Sequence, residues 1–171
     1  GEHHSPETHL IPSALNTAQG HQDHVQVFGA DFDTPDGTCI RDYLHVVDVA
    51  QAHISALPHL DAIGWRAYNI GSGNGFSVFE VIEAARRVTS KKIEVKLAPR
   101  RTEDPARLVA SSERIRRELD WQPKHPDLES MIDSAWRWSI NHPHGYAQAE
   151  TATQPADAIT SVRRTLLPLT P

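Results

Sequence analysis

The helix that begins after Ser77 is the most sharply specified element of this chain of 171 residues. Ser77 and Glu80 are three positions apart, the spacing of a capping box, in which each side chain bonds a backbone N–H at the helix start. Apolar residues then recur at helical spacing and predict the buried face, formed by Val78, Val81, Ile82, Ala85 and Val88. The chain is also long enough to form one domain with a hydrophobic core.

Short strands and further helices alternate along the rest of the chain. Residues 10–19 predict a helix that Gly20 ends, and residues 25–28 alternate as a strand. The other predicted elements are strands at 66–70 and 93–97, and helices at 46–57, from 111 or 112 to about 120, and from 127 to about 142. The helix at 46–57 carries an apolar stripe that we expect to be buried, made of Val46, Val49, Ala50, Ile54 and Leu57. The chain is therefore predicted to adopt an α/β fold.

Two basic clusters indicate anion binding. Arg41 follows a glycine-containing loop and precedes a helix, and a guanidinium offers paired donors that match phosphate or carboxylate oxygens. Arg100 and Arg101, with Asp104 close behind, suit a diphosphate together with a ribose or sugar hydroxyl. The alternatives are a surface pair between Arg41 and Asp42 and, for the two adjacent arginines, a solvated loop. Two such clusters in a chain of net charge −5 favour anion binding more than either does alone.

Other patterns are weaker. His45, Asp48 and His53 have an approximate metal-ligand spacing, but His53 would point away from the other two on a helix. The glycine-rich loop at 71–75 has the setting of a dinucleotide phosphate loop but not its spacing, which favours a tight turn. The chain contains no Tyr-x-x-x-Lys pattern and no other self-sufficient catalytic set.

Composition narrows the class of protein. A net charge of −5 argues against a nucleic-acid-binding protein. No apolar stretch approaches the roughly 20 residues of a membrane span. The single cysteine, Cys39, excludes an intramolecular disulfide and fits a cytoplasmic location. Residues 147–171 lose all periodicity and predict a disordered tail, so the expected domain is 1–146.

The order and spacing of several motifs resemble the C-terminal half of the UDP-glucose 4-epimerase family, which belongs to the extended short-chain dehydrogenases/reductases. The motifs lie at residues 6–12, 27–29, 37–48, 68–71, 98–101 and 119–121. The resemblance implies a UDP-sugar-binding region, with an NAD-binding Rossmann domain preceding it in the complete enzyme and missing here. The family interconverts UDP-glucose and UDP-galactose through a 4-keto intermediate, and the complete enzyme is a possible homodimer.

The resemblance also implies the roles of individual residues. His9 and Leu10 would lie near the diphosphate and nucleotide. The residues expected at the uracil slot are Gln26, Val27 and Phe28. Arg41 and Arg101 would bind the phosphates, and Asp104 would accept from a ribose hydroxyl. Leu108 stands where strict glucose epimerases carry a tyrosine, so the site could admit N-acetylated sugars. The chain departs from the family at Glu103 and Asp120, where glycine is usual.

The catalytic groups of the family are expected outside this chain. The family needs a tyrosine base, a lysine, a serine or threonine and a glycine-rich NAD loop. We therefore predict no catalytic residue here, no NAD bound by this chain alone and no activity of the chain alone. Two other interpretations stay open, namely a non-catalytic UDP-sugar-binding module and a remnant without function.

Overall fold

The computed structural model describes residues 6–60 and 65–146, so the predicted tail at 147–171 lies outside the described residues. The elements, in chain order, are α1 Leu10–Gln19, β1 Val25–Phe28, β2 Ile40–Arg41, α2 Val46–Ala56, β3 Phe76–Ser77, α3 Val78–Thr89, β4 Val95–Ala98, β5 Arg107–Leu108, α4 Glu113–Leu119 and α5 Leu128–Asn141. A short 3-10 turn, Leu57–His59, follows α2. The mixed α/β fold is as predicted. Across 6–60 and 65–146, no helix is both long and apolar enough to cross a membrane.

A parallel pair of strands forms one edge of the main core. β1 and β4 lie in register from Val25 opposite Val95 to Phe28 opposite Ala98. Because side chains alternate along a strand, Val25 and Val27 are buried while Gln26 is exposed. Helices α1, α3 and α5 pack against one another beside this pair. The buried members of this core are Ala14, Leu15, Val25, Val27, Val81, Ile82, Ala84, Ala85, Ile93, Leu128 and Ile132.

Helix α3 confirms the prediction made from its capping box. The Glu80 N–H donates to Ser77 Oγ at 3.1 Å, and the Ser77 N–H donates to Glu80 Oε2 at 2.7 Å. Val81, Ile82 and Ala85 are buried, as their spacing indicated. The Ser77 hydroxyl also bonds the Asp36 carboxylate, so the same residue that starts α3 fixes the loop before β2.

A second, three-stranded sheet has β2 in its centre among the described strands. β2 runs antiparallel to β3, with Arg41 opposite Phe76, and parallel to β5, with Arg41 opposite Leu108. Each of these strands has only two residues, which is too short to produce an alternating pattern in the sequence. The sheet holds Arg41 at a fixed place between two neighbouring strands.

Helix α2 packs on a different face from the one predicted. Ala52 is buried against Ile115 and Trp121, in a second hydrophobic cluster. The predicted stripe is largely exposed instead, with Val46 73%, Ile54 55% and Leu57 61% accessible. The prediction of a buried stripe was wrong because apolar spacing locates a stripe but does not say which other element covers it.

The buried face of α2 is fixed by hydrogen bonds of Asp48. This side chain is 1% exposed, and its carboxylate accepts from the N–H groups of Lys124 and His125, each at 2.9 Å. The Asp48 carbonyl accepts from Trp121 Nε1 at 3.0 Å. A buried carboxylate needs such donors, so these bonds orient α2 against the 121–125 segment.

The strand predicted at 66–70 is not formed. The segment has no backbone–backbone hydrogen bond to any other described residue. It is attached by side chains, since Arg66 Nη1 and the Tyr68 hydroxyl both donate to Glu118 Oε2 at 2.9 Å. A strand requires a neighbouring strand, and none lies beside this segment within the described residues. The strand predicted at 93–97 is present but shifted, as β4 covers Val95–Ala98.

Candidate functional site

A cavity of about 210 Å³ lies between α1, β1, β2 and the loop at 99–105. Seven of the nine residues predicted for the site line it, and they come from four separate parts of the sequence. These residues are Leu10, Gln26, Val27, Phe28, Arg41, Arg101 and Asp104. His9 and Leu108 are not among the lining residues, but His9 directly precedes Leu10, and Leu108 is opposite Arg41 in the sheet.

The end of β1 shapes one wall of this cavity. The Arg101 guanidinium stacks over the Phe28 ring at 4.0 Å from its centroid, a cation–π contact. Gly29 follows with a φ of 85°, in the left-handed region. A Cβ at Gly29 would lie 2.6 Å from the Phe32 ring and 2.7 Å from Arg100 Cγ. The glycine therefore allows the loop at 99–105 to approach β1 closely.

The loop at 99–105 is held across the cavity by its charged side chains. Arg100 Nε donates to Asp31 Oδ1 at 2.7 Å, and its guanidinium lies 4.1 Å from the Phe32 centroid. Nearer its other end, Asp104 forms an ion pair with Arg41. Glu103 adopts a φ of 64°, so the left-handed conformation that favours glycine is present at this position. These contacts hold the loop beside the cavity.

Arg41 is paired with Asp104 rather than with Asp42. Arg41 Nη1 donates to its own strand at the Ile40 carbonyl, at 2.7 Å, and Nη2 bonds Asp104 Oδ1. Asp42 instead accepts from the N–H and hydroxyl of Ser72, at 2.8 and 2.6 Å, and from the N–H of Ala110 at 3.0 Å. The alternative interpretation as an Arg41–Asp42 surface pair is therefore wrong.

The charges in the cavity suit binding rather than acid–base chemistry. Two arginines and one carboxylate line it, which leaves a net positive charge for an anion. Tyr43 also lines the cavity, and burial raises the pKa of its phenol to about 12, so it stays protonated at neutral pH. Burial likewise raises the pKa of the Cys39 thiol above its ordinary value, although Arg41 opposes this shift. Neither group is an ionised base or nucleophile at neutral pH.

Several lining residues were not identified from the sequence. They are Thr8, Ser13, Val25, Cys39, Tyr43 and Val78. Cys39 and Tyr43 each lie two positions from Arg41 in the sequence, and this proximity was the signal that could have identified them. The other four lie in segments whose place beside the cavity depends on the packing of α1, β1 and α3.

The two residues outside the cavity lining have separate environments. His9 is the N-cap of α1, and its N–H donates to Glu7 Oε1 at 2.8 Å, the same oxygen that its ring Nδ1 approaches at 2.8 Å. Burial raises the pKa of Glu7, but the hydrogen bonds from His9 outweigh it and lower the pKa below the ordinary value. Leu108 is 62% exposed on β5.

The glycine-rich loop at 71–75 does not offer its first amides to a phosphate. The Gly71 N–H donates to Ser112 Oγ at 2.7 Å, and the Ser72 N–H donates to Asp42 as described above. Ser112 is the N-cap of α4, but its hydroxyl donates to the Gly71 carbonyl at 2.7 Å and does not cap the helix. The loop thus serves as a tight connection, which is the interpretation that its spacing favoured.

The histidine pattern on α2 does not form a metal site. His45 Nδ1 accepts from the Val47 N–H at 3.1 Å and caps the helix, while the Asp48 carboxylate is taken by two backbone N–H groups. His53 Nδ1 lies 2.8 Å from the Val49 carbonyl. Across residues 6–60 and 65–146, no group of three metal-ligating side chains is close enough to hold an ion.

Comparison with known proteins shows which family this chain resembles. Residues 1–71 match the model of the NAD dependent epimerase/dehydratase family. The UDP-glucose 4-epimerase of Halalkalibacterium halodurans is 53% identical over 148 residues, which are 86% of this chain and 44% of that protein. A crystal structure of a UDP-glucose 4-epimerase matches with a TM-score of 0.81 and 48% identity, covering 86% of this chain and 45% of the other.

A second crystal structure, of UDP-glucose 4-epimerase from Bifidobacterium longum in complex with NAD+ and UDP, matches with a TM-score of 0.76 and 38% identity. The match covers 81% of this chain and 41% of that one. The chain thus spans less than half the length of the relatives described here. The resemblance noted in the sequence is confirmed: the chain matches part of the UDP-glucose 4-epimerases, and its residues 1–71 match the NAD dependent epimerase/dehydratase family.

Proposed function

We propose that this chain supplies the UDP-sugar site of a UDP-glucose 4-epimerase. The observation that carries the proposal is the cavity itself, in which two arginines, a carboxylate and an apolar–aromatic wall converge from separate segments. A nucleoside diphosphate sugar presents matching groups, namely two phosphates, ribose hydroxyls and a flat base. The relative crystallised with NAD+ and UDP supports the same ligand class.

In this proposal each group of cavity residues binds one part of the UDP-sugar. Arg41 and Arg101 bind the diphosphate, and Asp104 accepts from a ribose hydroxyl. The uracil lies along β1, beside Gln26, Val27 and Phe28. His9 and Leu10, at the start of α1, lie close to the diphosphate and nucleotide, because a helix N-terminus favours negative charge.

We further propose that the complete enzyme interconverts UDP-glucose and UDP-galactose and that this chain alone is inactive. Hydride transfer and its return need NAD, and the described residues do not fit that cofactor, since the first amides of the loop at 71–75 are bonded within the protein. Tyr43 keeps its proton at neutral pH and is not a base. We also propose that the complete enzyme is a homodimer and that it is located in the cytoplasm.

The outer surface of α2 is where we place the NAD-binding part. We use this name for the exposed apolar side chains Val46, Val47, Ile54 and Leu57, together with Leu60 just beyond the helix. Contiguous exposed apolar surface usually marks a contact with another part of a protein. More than half of each relative described above has no counterpart in this chain. That much sequence is enough for an NAD-binding part that would cover this surface. The segment at 66–70 has no strand partner among the described residues, and its Tyr68 and Ile70 pack against the hydrophobic cluster on the buried face of α2.

Calorimetric titration with UDP tests the site. We expect binding by the folded chain, and we expect Arg101→Met to weaken it because that variant removes one phosphate donor. Circular dichroism shows whether each sample is folded. A folded chain that takes up no UDP at millimolar concentration would reject the UDP-sugar site and favour a remnant without function.

Reconstitution tests whether this chain becomes active when a separate NAD-binding part is added. The NAD-binding part of the Halalkalibacterium halodurans relative is produced as a separate chain and mixed with this one, and conversion of UDP-glucose to UDP-galactose is followed. We expect no conversion by this chain with NAD alone and measurable conversion by the mixture. Conversion without the second chain would contradict the proposed inactivity. If UDP binds but no mixture is active, a non-catalytic binding module is the better function, and the self-contained cavity favours it as the second candidate.

Leu108 is proposed to set the size of the sugar pocket. It is opposite Arg41 on β5 and is exposed, so a larger side chain can be introduced there without disturbing the core. We expect Leu108→Tyr to weaken the binding of UDP-N-acetylglucosamine while UDP-glucose binds as before. Equal binding of both sugars by the two proteins would remove Leu108 from the site.

A further inference from the structure

A groove of about 600 Å³ lies between α1 and α5, and we call it the α1–α5 groove. Its lining is mostly apolar and includes Ile11, Leu15, Leu44, Met131, Ala135 and Trp138. Among the described residues that line it, Glu7 carries the one carboxylate, and there is no lysine or arginine. The pKa of Glu7 lies below its ordinary value of 4.5, so this side chain is ionised at neutral pH. A groove of this size suits a small molecule or a short peptide segment.

The chain turns back toward the α1–α5 groove after α5 ends. The Gly145 N–H donates to the His142 carbonyl at 2.9 Å, and Gly145 has a φ of 71°, which permits the turn. The His142 ring stacks on Trp138 with 4.9 Å between centroids, and the Tyr146 ring lies 5.5 Å from the same indole. Trp138 lines the groove, so the last described residue, Tyr146, lies beside it.

Residues 162–169 have a composition that complements this groove. The large apolar side chains of the segment are Val162, Leu166, Leu167 and Leu169. Its charged residues are Arg163 and Arg164, opposite in sign to Glu7. Pro168 disfavours a helical backbone at the residue before it, so the segment suits the extended form in which peptides enter narrow grooves.

The connection to this segment is long enough to reach the groove. Residues 147–161 number 15 and can span up to about 50 Å when extended. The groove face of α5, from Met131 to Ser139, is only about 12 Å long at 1.5 Å per residue. Because segment and groove belong to one chain, their effective concentration is in the millimolar range, which lets a weak contact form.

We propose that residues 162–169 dock in the α1–α5 groove of the same chain, with the leucines on its apolar wall and the arginines toward Glu7. The inference goes beyond the proposed UDP-sugar site and does not depend on it, since the groove and the cavity beside Arg41 share no lining residue. The competing occupant is the NAD-binding part, because Val46 and Val47 line the groove and also belong to the outer surface of α2. The return of the chain to the groove at its last described residue favours the segment.

Disulfide trapping in the whole chain of 171 residues tests the docking. Ser134→Cys places a thiol on the exposed groove face of α5, and Thr165→Cys places one in the segment. The native Cys39 is buried, so the two introduced thiols react with each other. The control pair combines Ser134→Cys with Thr151→Cys. Without docking, the control closes a shorter loop and forms about twofold faster. With docking, we expect the Thr165 pair to form at least about tenfold faster than the control.

Further substitutions in the Thr165 pair test which side chains hold the segment. Adding Leu166→Asp and Leu167→Asp should slow disulfide formation at least about tenfold, because carboxylates are poorly accommodated on an apolar wall. Adding Ala156→Asp and Ala158→Asp introduces the same charges outside the segment. This matched control should change the rate by less than about twofold.

Each outcome decides for or against the docking. If the Thr151 pair forms as fast as the Thr165 pair or faster, the inference is wrong and the groove is left to the NAD-binding part. Disulfides between two molecules instead of within one would assign the groove to a second copy of the chain and would also overturn it. Asn16→Cys, on the α1 wall of the groove, replaces Ser134→Cys if circular dichroism shows that the latter is unfolded. Absence of UDP binding by the wild type would reject the proposed function and leave the trapping result unaffected.

Discussion

The cavity beside Arg41 and the outer surface of α2 differ in how many contacts their side chains make with the other described residues. In the cavity, Arg41 is paired with Asp104, Arg101 is stacked on Phe28, and the glycine at 29 lets the loop close. On the outer surface of α2, large apolar side chains are between 51% and 73% exposed. The difference teaches that the proposed ligand site needs less of the protein than the proposed reaction does. The described residues form the first region by themselves, whereas our proposal assigns the second to a contact with another part of the protein.

The outer surface of α2 keeps its place only if the helix is firmly attached on its buried face. Trp121→Ala tests this attachment and has the largest expected effect. The indole is 1% exposed, packs beneath α2 and donates to the Asp48 carbonyl. Its removal leaves a cavity and should lower the free energy of unfolding by about 3–5 kcal/mol. Urea denaturation followed by circular dichroism measures the loss. A loss below about 1 kcal/mol would mean that α2 is not anchored by this cluster.

A milder variant separates packing from hydrogen bonding at the same place. Trp121→Phe keeps much of the ring but removes the donor to Asp48, so we expect a smaller loss than in Trp121→Ala. If the two variants lose the same amount, the indole N–H rather than packing dominates the attachment of α2.

Arg41→Met tests the other region, where the expected effect is on binding rather than on folding. The variant removes the paired donors for phosphate, and hydrogen bonds between charged groups contribute about 1.5–3 kcal/mol each, so UDP affinity should fall at least about tenfold. Arg41 and Asp104 are both partly exposed, so the remaining carboxylate is hydrated and stability should change by less than about 1 kcal/mol. Arg87→Met, on an exposed arginine of α3 paired with Glu129, is the control and should bind UDP normally.

The sequence predicted the structural features that depend on residues close together along the chain. Helix α3 follows from the Ser77–Glu80 capping box, and α1 from its apolar spacing with Gly20 at its end, where φ is 79°. The side-chain types on the two basic loops, with the family resemblance, also led to most of the cavity lining. For the two helices, the evidence lies within a few positions of the residues concerned.

What the sequence could not identify depends on contacts between distant segments. Arg41 and Asp104 are 63 positions apart, so local spacing pointed to Asp42 as the partner instead. β2 is too short for a periodic pattern, yet it places Arg41. The exposed stripe of α2 and the unpaired segment at 66–70 were both predicted as if their partners were present. These last two errors therefore lie at segments that the described residues leave exposed or without a strand partner.

The attachment of the segment at 66–70 should depend on pH through Glu118. Hydrogen bonds from Tyr68, Arg66 and Arg114 lower the pKa of this carboxyl to about 2 from its ordinary value of 4.5, although burial opposes the shift. A lowered pKa in the folded state stabilises it fully above pH 4.5, and this contribution is lost as the pH falls toward 2. The ionised Glu118 therefore stabilises the folded protein less as the solution becomes more acidic.

Glu118→Gln isolates this effect from the other carboxyl groups. The difference in thermal unfolding midpoint between the wild type and Glu118→Gln should be largest above pH 4.5 and should shrink toward pH 2. A difference that stays constant across this range would show that the Glu118 charge does not hold the segment at 66–70.

The smallest effect on stability is expected on the outer surface of α2, where the consequence for assembly is greatest. Ile54 and Leu57 are 55% and 61% exposed, so the double variant Ile54→Ser, Leu57→Ser should change the free energy of unfolding by less than about 1 kcal/mol and leave UDP binding intact. Reconstitution of activity with the NAD-binding part should nevertheless be lost. The matched control is Leu97→Ser, Ile140→Ser, which removes two equally exposed apolar side chains away from α2. Equal activity of both mixtures would place the NAD-binding part elsewhere, and a large loss of stability in the α2 variant would show that this surface is already covered within the chain.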